Sequence, residues 1–139
     1  MTATVIDGQA VAERLRAEIA ADAADFQAQY GYPPGLGVVL VGDDPASASY
    51  VRMKRRACEQ AGIHSVAHLL PKESTQEEVE AAVEALNNDP GIHGILVQLP
   101  LPAHISEERV LGLVSLDKDV DGFHPINIGL LAMKGREPL

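Results

Sequence analysis

Tyr50 and Lys54 stand four positions apart in the segment Tyr50-Val51-Arg52-Met53-Lys54. On a helix that spacing stacks both side chains on one face. A phenol and an amine aimed at one point can hold a ligand ring and move a proton. An exposed Tyr beside a solvated Lys is the commoner fate of such a pair, so the spacing alone leaves both readings open. Gln98 comes at the end of the otherwise apolar run Gly94-Ile95-Leu96-Val97-Gln98-Leu99. A buried amide there needs partners, and either a ligand site or loop backbone would provide them. Asp117, Asp119 and Asp121 alternate ahead of Gly122, like the opening of a calcium-binding hand. The twelfth position of such a hand must be a bidentate Glu, and here it is Ile128. These acids are therefore read as ligand-facing or structural. One of them, at the Asp-Gly-Phe-His-Pro turn, suits a pair of donors on a ligand ring. The histidines (His64, His68, His93, His104 and His124) are scattered without zinc-site spacing. No metal site is expected. Cys58, between Ala57 and Ala61 in a predicted helix, reads as buried filler.

The elements that must position these groups follow from the apolar pattern. Leu36 to Val41 is short, apolar throughout and bounded by glycines, which describes a strand buried on both faces. It runs into Gly42-Asp43-Asp44-Pro45, where Asp44 can cap a helix and Pro45 suits its first position. That helix carries Tyr50 and Lys54 to about Ala61, with Gly62 as its stop. Upstream, Val11, Leu15, Ile19, Ala23, Phe26 and Tyr30 recur at helical spacing, predicting one long amphipathic helix from about Gly8 to Gly31. Downstream, Ser65–Leu70 reads as a second strand. Thr75-Gln76-Glu77-Glu78 is a capping box for a third helix with an apolar stripe of Val79, Val83 and Leu86. Gly94–Leu99 is a further buried strand, ended by Pro100-Leu101-Pro102. A short helix then runs from Ser106 to about Leu113, and one or two helical turns are expected between Ile126 and Met133. Strands alternating with helices predict an α/β fold, a mainly parallel sheet flanked by helices in three layers. In such folds ligands bind outside the carboxyl ends of the strands.

Composition narrows the class. The chain has 139 residues, 46% hydrophobic and 22% charged, which fits one globular domain over residues 1–139. A net charge of -9 disfavours nucleic acid and anionic membrane surfaces as partners. The single cysteine, Cys58, excludes an internal disulfide, and a cytoplasmic location is expected. No Gly-x-Gly-x-x-Gly or phosphate-loop motif occurs, so no cofactor-binding residues are assigned in this chain. A phosphoacceptor signalling domain would need an Asp where the strand at Gly94 instead ends in Gln98 and Leu99.

Four ordered blocks carry a more specific signal: Val41-Gly42-Asp43-Asp44-Pro45-Ala46-Ser47, Tyr50 to Lys54, Gly94 to Pro102, and Lys118-Asp119-Val120-Asp121-Gly122-Phe123-His124-Pro125. Together they resemble the bifunctional methylenetetrahydrofolate dehydrogenase/methenyltetrahydrofolate cyclohydrolase family, and they match its amino-terminal, folate-binding half. The resemblance implies an enzyme that oxidises methylenetetrahydrofolate with NADP and hydrolyses methenyltetrahydrofolate to formyltetrahydrofolate. It implies that NADP is held mainly by a carboxyl-terminal Rossmann domain, which this sequence does not contain. A fragment of a longer enzyme is the favoured expectation. The alternative is a stand-alone folate-binding relative without dehydrogenase activity. By resemblance, Lys54 is the catalytic lysine, Tyr50 covers the aminobenzoyl ring and touches the lysine, and Gln98 hydrogen-bonds it. Asp121 takes the pterin amino group and ring nitrogen. Val51, Arg52, Met53, Val97 and Leu99 complete the implied substrate-binding set. A tetrahydrofolate substrate and a homodimer of the full-length enzyme are the implied partners.

Overall fold

The computed structural model describes residues 5–133. The elements run α1 (Gly8–Tyr30), β1 (Gly35–Val41), α2 (Pro45–Gln60), β2 (His64–Leu70), α3 (Gln76–Asn88), β3 (Gly94–Val97), α4 (Glu107–Leu113), one 3₁₀ turn (Leu116–Lys118) and α5 (Pro125–Ala132). Each helix begins where its cap chemistry places it. Asp7 accepts hydrogen bonds from the N–H groups of Gln9 and Ala10 to open α1. Asp44 does the same for Ser47 in α2, with Pro45 at the first helical position. Thr75 and Glu78 form the reciprocal box that starts α3.

The three strands form one parallel sheet in the order β2-β1-β3. Successive side chains of a strand face opposite sides, and both sides are covered. Val38 and Leu40 of β1 and Leu96 of β3 pack with Val51 of α2 on one face. Val39, Val41, Ile95 and Val97 meet Val79, Val83 and Leu86 of α3, together with Val110 of α4, on the other. The three-layer α/β architecture expected from the sequence is the one observed. Gly37 allows the close seating of α3, since a Cβ built there would lie 2.8 Å from Leu86 Cδ2 and 2.9 Å from Cδ1.

Two elements differ from the sequence reading. β3 stops at Val97, two residues earlier than expected. Gln98 still donates its N–H to the Val39 carbonyl at 2.9 Å, but Pro100 has no N–H to extend the ladder and the chain leaves the sheet. In α1, the stripe expected to be covered stays open: Val11, Leu15 and Ile19 are 41%, 45% and 47% exposed, and Ala23 alone is buried. Helical periodicity reports that a face is apolar, without reporting what covers it. The helix is held near its carboxyl end, where the Phe26 ring lies 5.4 Å from that of His93. His93 Nδ1 in turn accepts the Gly35 N–H at the start of β1. No described helix is long and apolar enough to cross a membrane.

Candidate functional site

β1 leads through α2 to β2 on one side of the sheet, whereas β3 lies on the other side of β1. The chain thus diverges at the carboxyl ends of β1 and β3, the place where open α/β sheets form a crevice. α2 fixes which of its side chains reach that crevice. Ser47, Val51 and Cys58 are its buried residues, so the helix can sit on the sheet in only one rotation. In that rotation Lys54 points toward the end of β3. Its Nζ donates to Gln98 Oε1 at 3.3 Å, across 44 positions of sequence. Gln98 is itself oriented, because its Nε2 donates to the Leu99 carbonyl at 2.8 Å. With the amide nitrogen so engaged, the amide oxygen is the atom left to face the lysine.

Asp121 completes the group. Its carboxyl pKa is raised, chiefly by burial; the Lys54 ammonium acts in the opposite direction, and the Asp119 carboxylate adds to the rise. Enough protein crowds the group for burial to dominate, although the residue as a whole is exposed. The amine and the amide are therefore joined by a hydrogen bond, and the Lys54 charge is felt at Asp121. Tyr50 sits one turn before Lys54 and is 55% exposed. No hydrogen bond joins the two among the described residues.

The remaining residues named for the substrate are distributed differently. Val51 is buried beneath α2, and Val97 is buried in the α3-side core. Arg52 lines a separate groove with Arg55, Arg56 and Leu69, on the β2 side of α2. Met53 is exposed on the helix, and Leu99 contributes its carbonyl to Gln98. Cys58 is buried, and burial first, then the Glu59 charge, pushes its thiol pKa up. That suits a packing residue better than a nucleophile.

Sequence reasoning missed the residues that hold the 117–125 loop. Lys118 Nζ donates to the carbonyls of Leu86 (3.2 Å), Asn87 (2.7 Å) and Asp89 (2.9 Å), where α3 ends. Asp119 accepts from the N–H groups of Phe123 (3.3 Å) and His124 (2.8 Å) and from Asn127 Nδ2 (2.9 Å). The alternating acids were visible in the sequence. That one of them turns inward to its own loop was not, since acids that bind backbone and acids that face a ligand have the same composition. Among the described residues, no group of three or more His, Cys, Asp or Glu is placed to hold a metal ion.

A family model described as tetrahydrofolate dehydrogenase/cyclohydrolase, catalytic domain, matches residues 6–121. The chain is 54% identical to a bifunctional protein FolD 4, chloroplastic, of Arabidopsis thaliana, over 99% of its own length and 38% of the relative's. It is 57% identical to a bifunctional protein FolD 2 of Geobacter sulfurreducens, over 93% of its own length and 45% of the relative's. It therefore spans less than half the length of these relatives. Among solved structures it is similar to a methylenetetrahydrofolate dehydrogenase-cyclohydrolase of Trypanosoma brucei complexed with NADP and an inhibitor. The TM-score is 0.93 and the identity 38%, with 99% of this chain and 47% of that one covered. A bifunctional FolD enzyme from Campylobacter jejuni gives a TM-score of 0.88 at 43% identity, covering 96% of this chain and 48% of that one.

Proposed function

Since this chain belongs to the tetrahydrofolate dehydrogenase/cyclohydrolase family, we propose that residues 1–139 form a folate-binding catalytic domain. Its crevice at Lys54, Gln98 and Asp121 takes a tetrahydrofolate derivative. The enzyme to which it corresponds oxidises methylenetetrahydrofolate with NADP and hydrolyses methenyltetrahydrofolate to formyltetrahydrofolate. The observation that carries the reading is the Lys54 Nζ to Gln98 Oε1 hydrogen bond; the Lys54 charge also acts on the Asp121 carboxyl.

Each residue has a physical task in this scheme. Asp121 offers two carboxylate oxygens to the parallel N–H pair of a pterin, a bidentate match. Tyr50, exposed one turn before the lysine, is free to lie over the aminobenzoyl ring. Lys54 serves the hydrolysis. Water adds to the methenyl carbon and loses a proton, the resulting hydroxyl gives up its own proton as one carbon–nitrogen bond of the bridge breaks and the formyl carbonyl forms, and the departing ring nitrogen gains a proton. The net reaction consumes one water and releases one proton. An amine held by an amide oxygen beside that carbon can take the first proton and supply the one that the ring nitrogen gains. Gln98 Oε1 keeps the amine turned into the crevice.

NADP does not fit the described residues. The turn after β1 carries Asp43 and Asp44, and Asp44 already occupies the N–H of Ser47, leaving negative charge where a pyrophosphate would have to sit. The first turn of α3 holds Glu77 and Glu78. No hydride step is therefore derived from this chain. The reading includes a cytoplasmic location and a homodimer of the full-length enzyme; the lone, buried Cys58 supports a reducing compartment.

Lys54 makes a single side-chain hydrogen bond and is only part-buried, so Lys54→Met should fold normally. Its hydrolysis of methenyltetrahydrofolate is expected to fall by roughly 10²–10⁴, the usual contribution of a placed acid or base. Hydrolysis at the wild-type rate by a folded Lys54→Met chain would remove the lysine from the mechanism. Titrating tetrahydrofolate in parallel separates a catalyst from a relative that only binds: the latter binds without any lysine-dependent turnover.

A further inference from the structure

We propose that Asp119, which need not touch the substrate, is the positioning residue for Asp121: its carboxylate closes the 119–124 loop and so fixes where Asp121 stands. This rests on the folate reading of the crevice. The loop is anchored on both sides of Asp121. Before it, Lys118 is tied to the last carbonyls of α3, and Asp119 forms a parallel bridge with Ile95 of β3. Val120 packs onto Gly94, where any Cβ would collide with Val120 Cγ1. After it, the Asp119 carboxylate gathers the N–H groups of Phe123 and His124 and the amide of Asn127. Asn127 belongs to α5 and is 1% exposed, so this end of the loop is attached to a buried side chain. Asp121 is left at the crown of a ring whose closure depends on one neighbouring carboxylate.

Such a residue acts on binding more than on chemistry. A carboxylate that holds the pterin does so equally in ground and transition states. Loosening it should raise KM while kcat at saturation is little changed. The effect should also operate through Asp121, so the two residues must be non-additive.

The test is a double-mutant cycle on tetrahydrofolate binding, with Asp119→Ala, Asp121→Ala and the double variant in the 139-residue chain. Circular dichroism and thermal melts monitor folding. If Asp119→Ala does not fold, Asp119→Asn, which keeps one acceptor oxygen, replaces it. We expect each single variant to bind on the order of tenfold more weakly, about 1.4 kcal/mol, and the double variant to bind no more weakly than Asp121→Ala. Methenyltetrahydrofolate hydrolysis by the Asp119 variant should show raised KM with near-normal kcat. Wild-type affinity in a folded Asp119 variant would overturn the proposal. So would an equal loss whether or not Asp121 is present, while leaving the folate reading standing. Failure of the wild-type chain to bind tetrahydrofolate would sink the folate reading, and this proposal with it.

Discussion

Asp121, on the proposed reading, serves function at the expense of stability. Its carboxyl is more costly to ionise in the folded chain than in water, mostly because of burial; the Lys54 charge relieves part of that cost and the Asp119 charge adds to it. A carboxyl whose folded pKa is raised favours the folded state at acid pH, and that favour is lost as pH rises through the folded pKa. At neutral pH the ionised group is therefore a mild liability to the free protein. Asp121→Asn, neutral at every pH, should melt above the wild type at neutral pH, and the gap should close as pH falls through the titration of Asp121. A wild type that melts higher at neutral pH would contradict this account of the site. Asp44 behaves in the opposite way. The Ser47 backbone N–H lowers its pKa, so its support for α2 is present at neutral pH and is lost as pH falls through its folded pKa. At this scale the sequence was informative wherever residue type and short spacing decide the outcome, as at Asp44, Thr75 and Cys58. It was silent on Asp119, because the partners of that carboxylate are set by how the loop folds.

The elements were legible where periodicity and caps agree. The capping box at Thr75 and the glycine-bounded run at β1 each identify an element by local chemistry, and both elements form as expected. Where an outcome depends on a distant partner, local chemistry stops short. The open stripe of α1 and the early end of β3 at Val97 are of that kind. Close approach between elements is also invisible before folding. Gly37 looks like an ordinary strand residue, yet the Leu86 methyls and Ile92 Cγ2 at 3.2 Å leave no room for a side chain. Gly37→Ala should destabilise the chain by about 1–3 kcal/mol through overpacking. The measurement is urea denaturation, in which the midpoint falls while the slope holds. An unchanged midpoint would mean that α3 can move outward at no cost.

For the molecule as a whole, the division of labour follows from charge and topology. In the proposed reading the crevice collects polar groups able to handle a folate, while the strand-to-helix turns carry acids that repel nucleotide phosphates. The isolated 139-residue chain supplied with methylenetetrahydrofolate and NADP should form no NADPH, as followed by absorbance. Appreciable NADPH formation would mean that a nucleotide site has been overlooked among these residues. The two faces of the sheet are also unequally filled. Among the described residues, twelve buried ones form the cluster on the α3 side, against four on the α2 side. The amine is thus mounted on the less filled side of the sheet; Leu96 of β3 packs on that side, and Gln98, two positions on, meets the amine there. Val51 seats α2 on that thin cushion, so under the proposed function a methyl group removed there would shift Lys54 against Gln98 without altering either group.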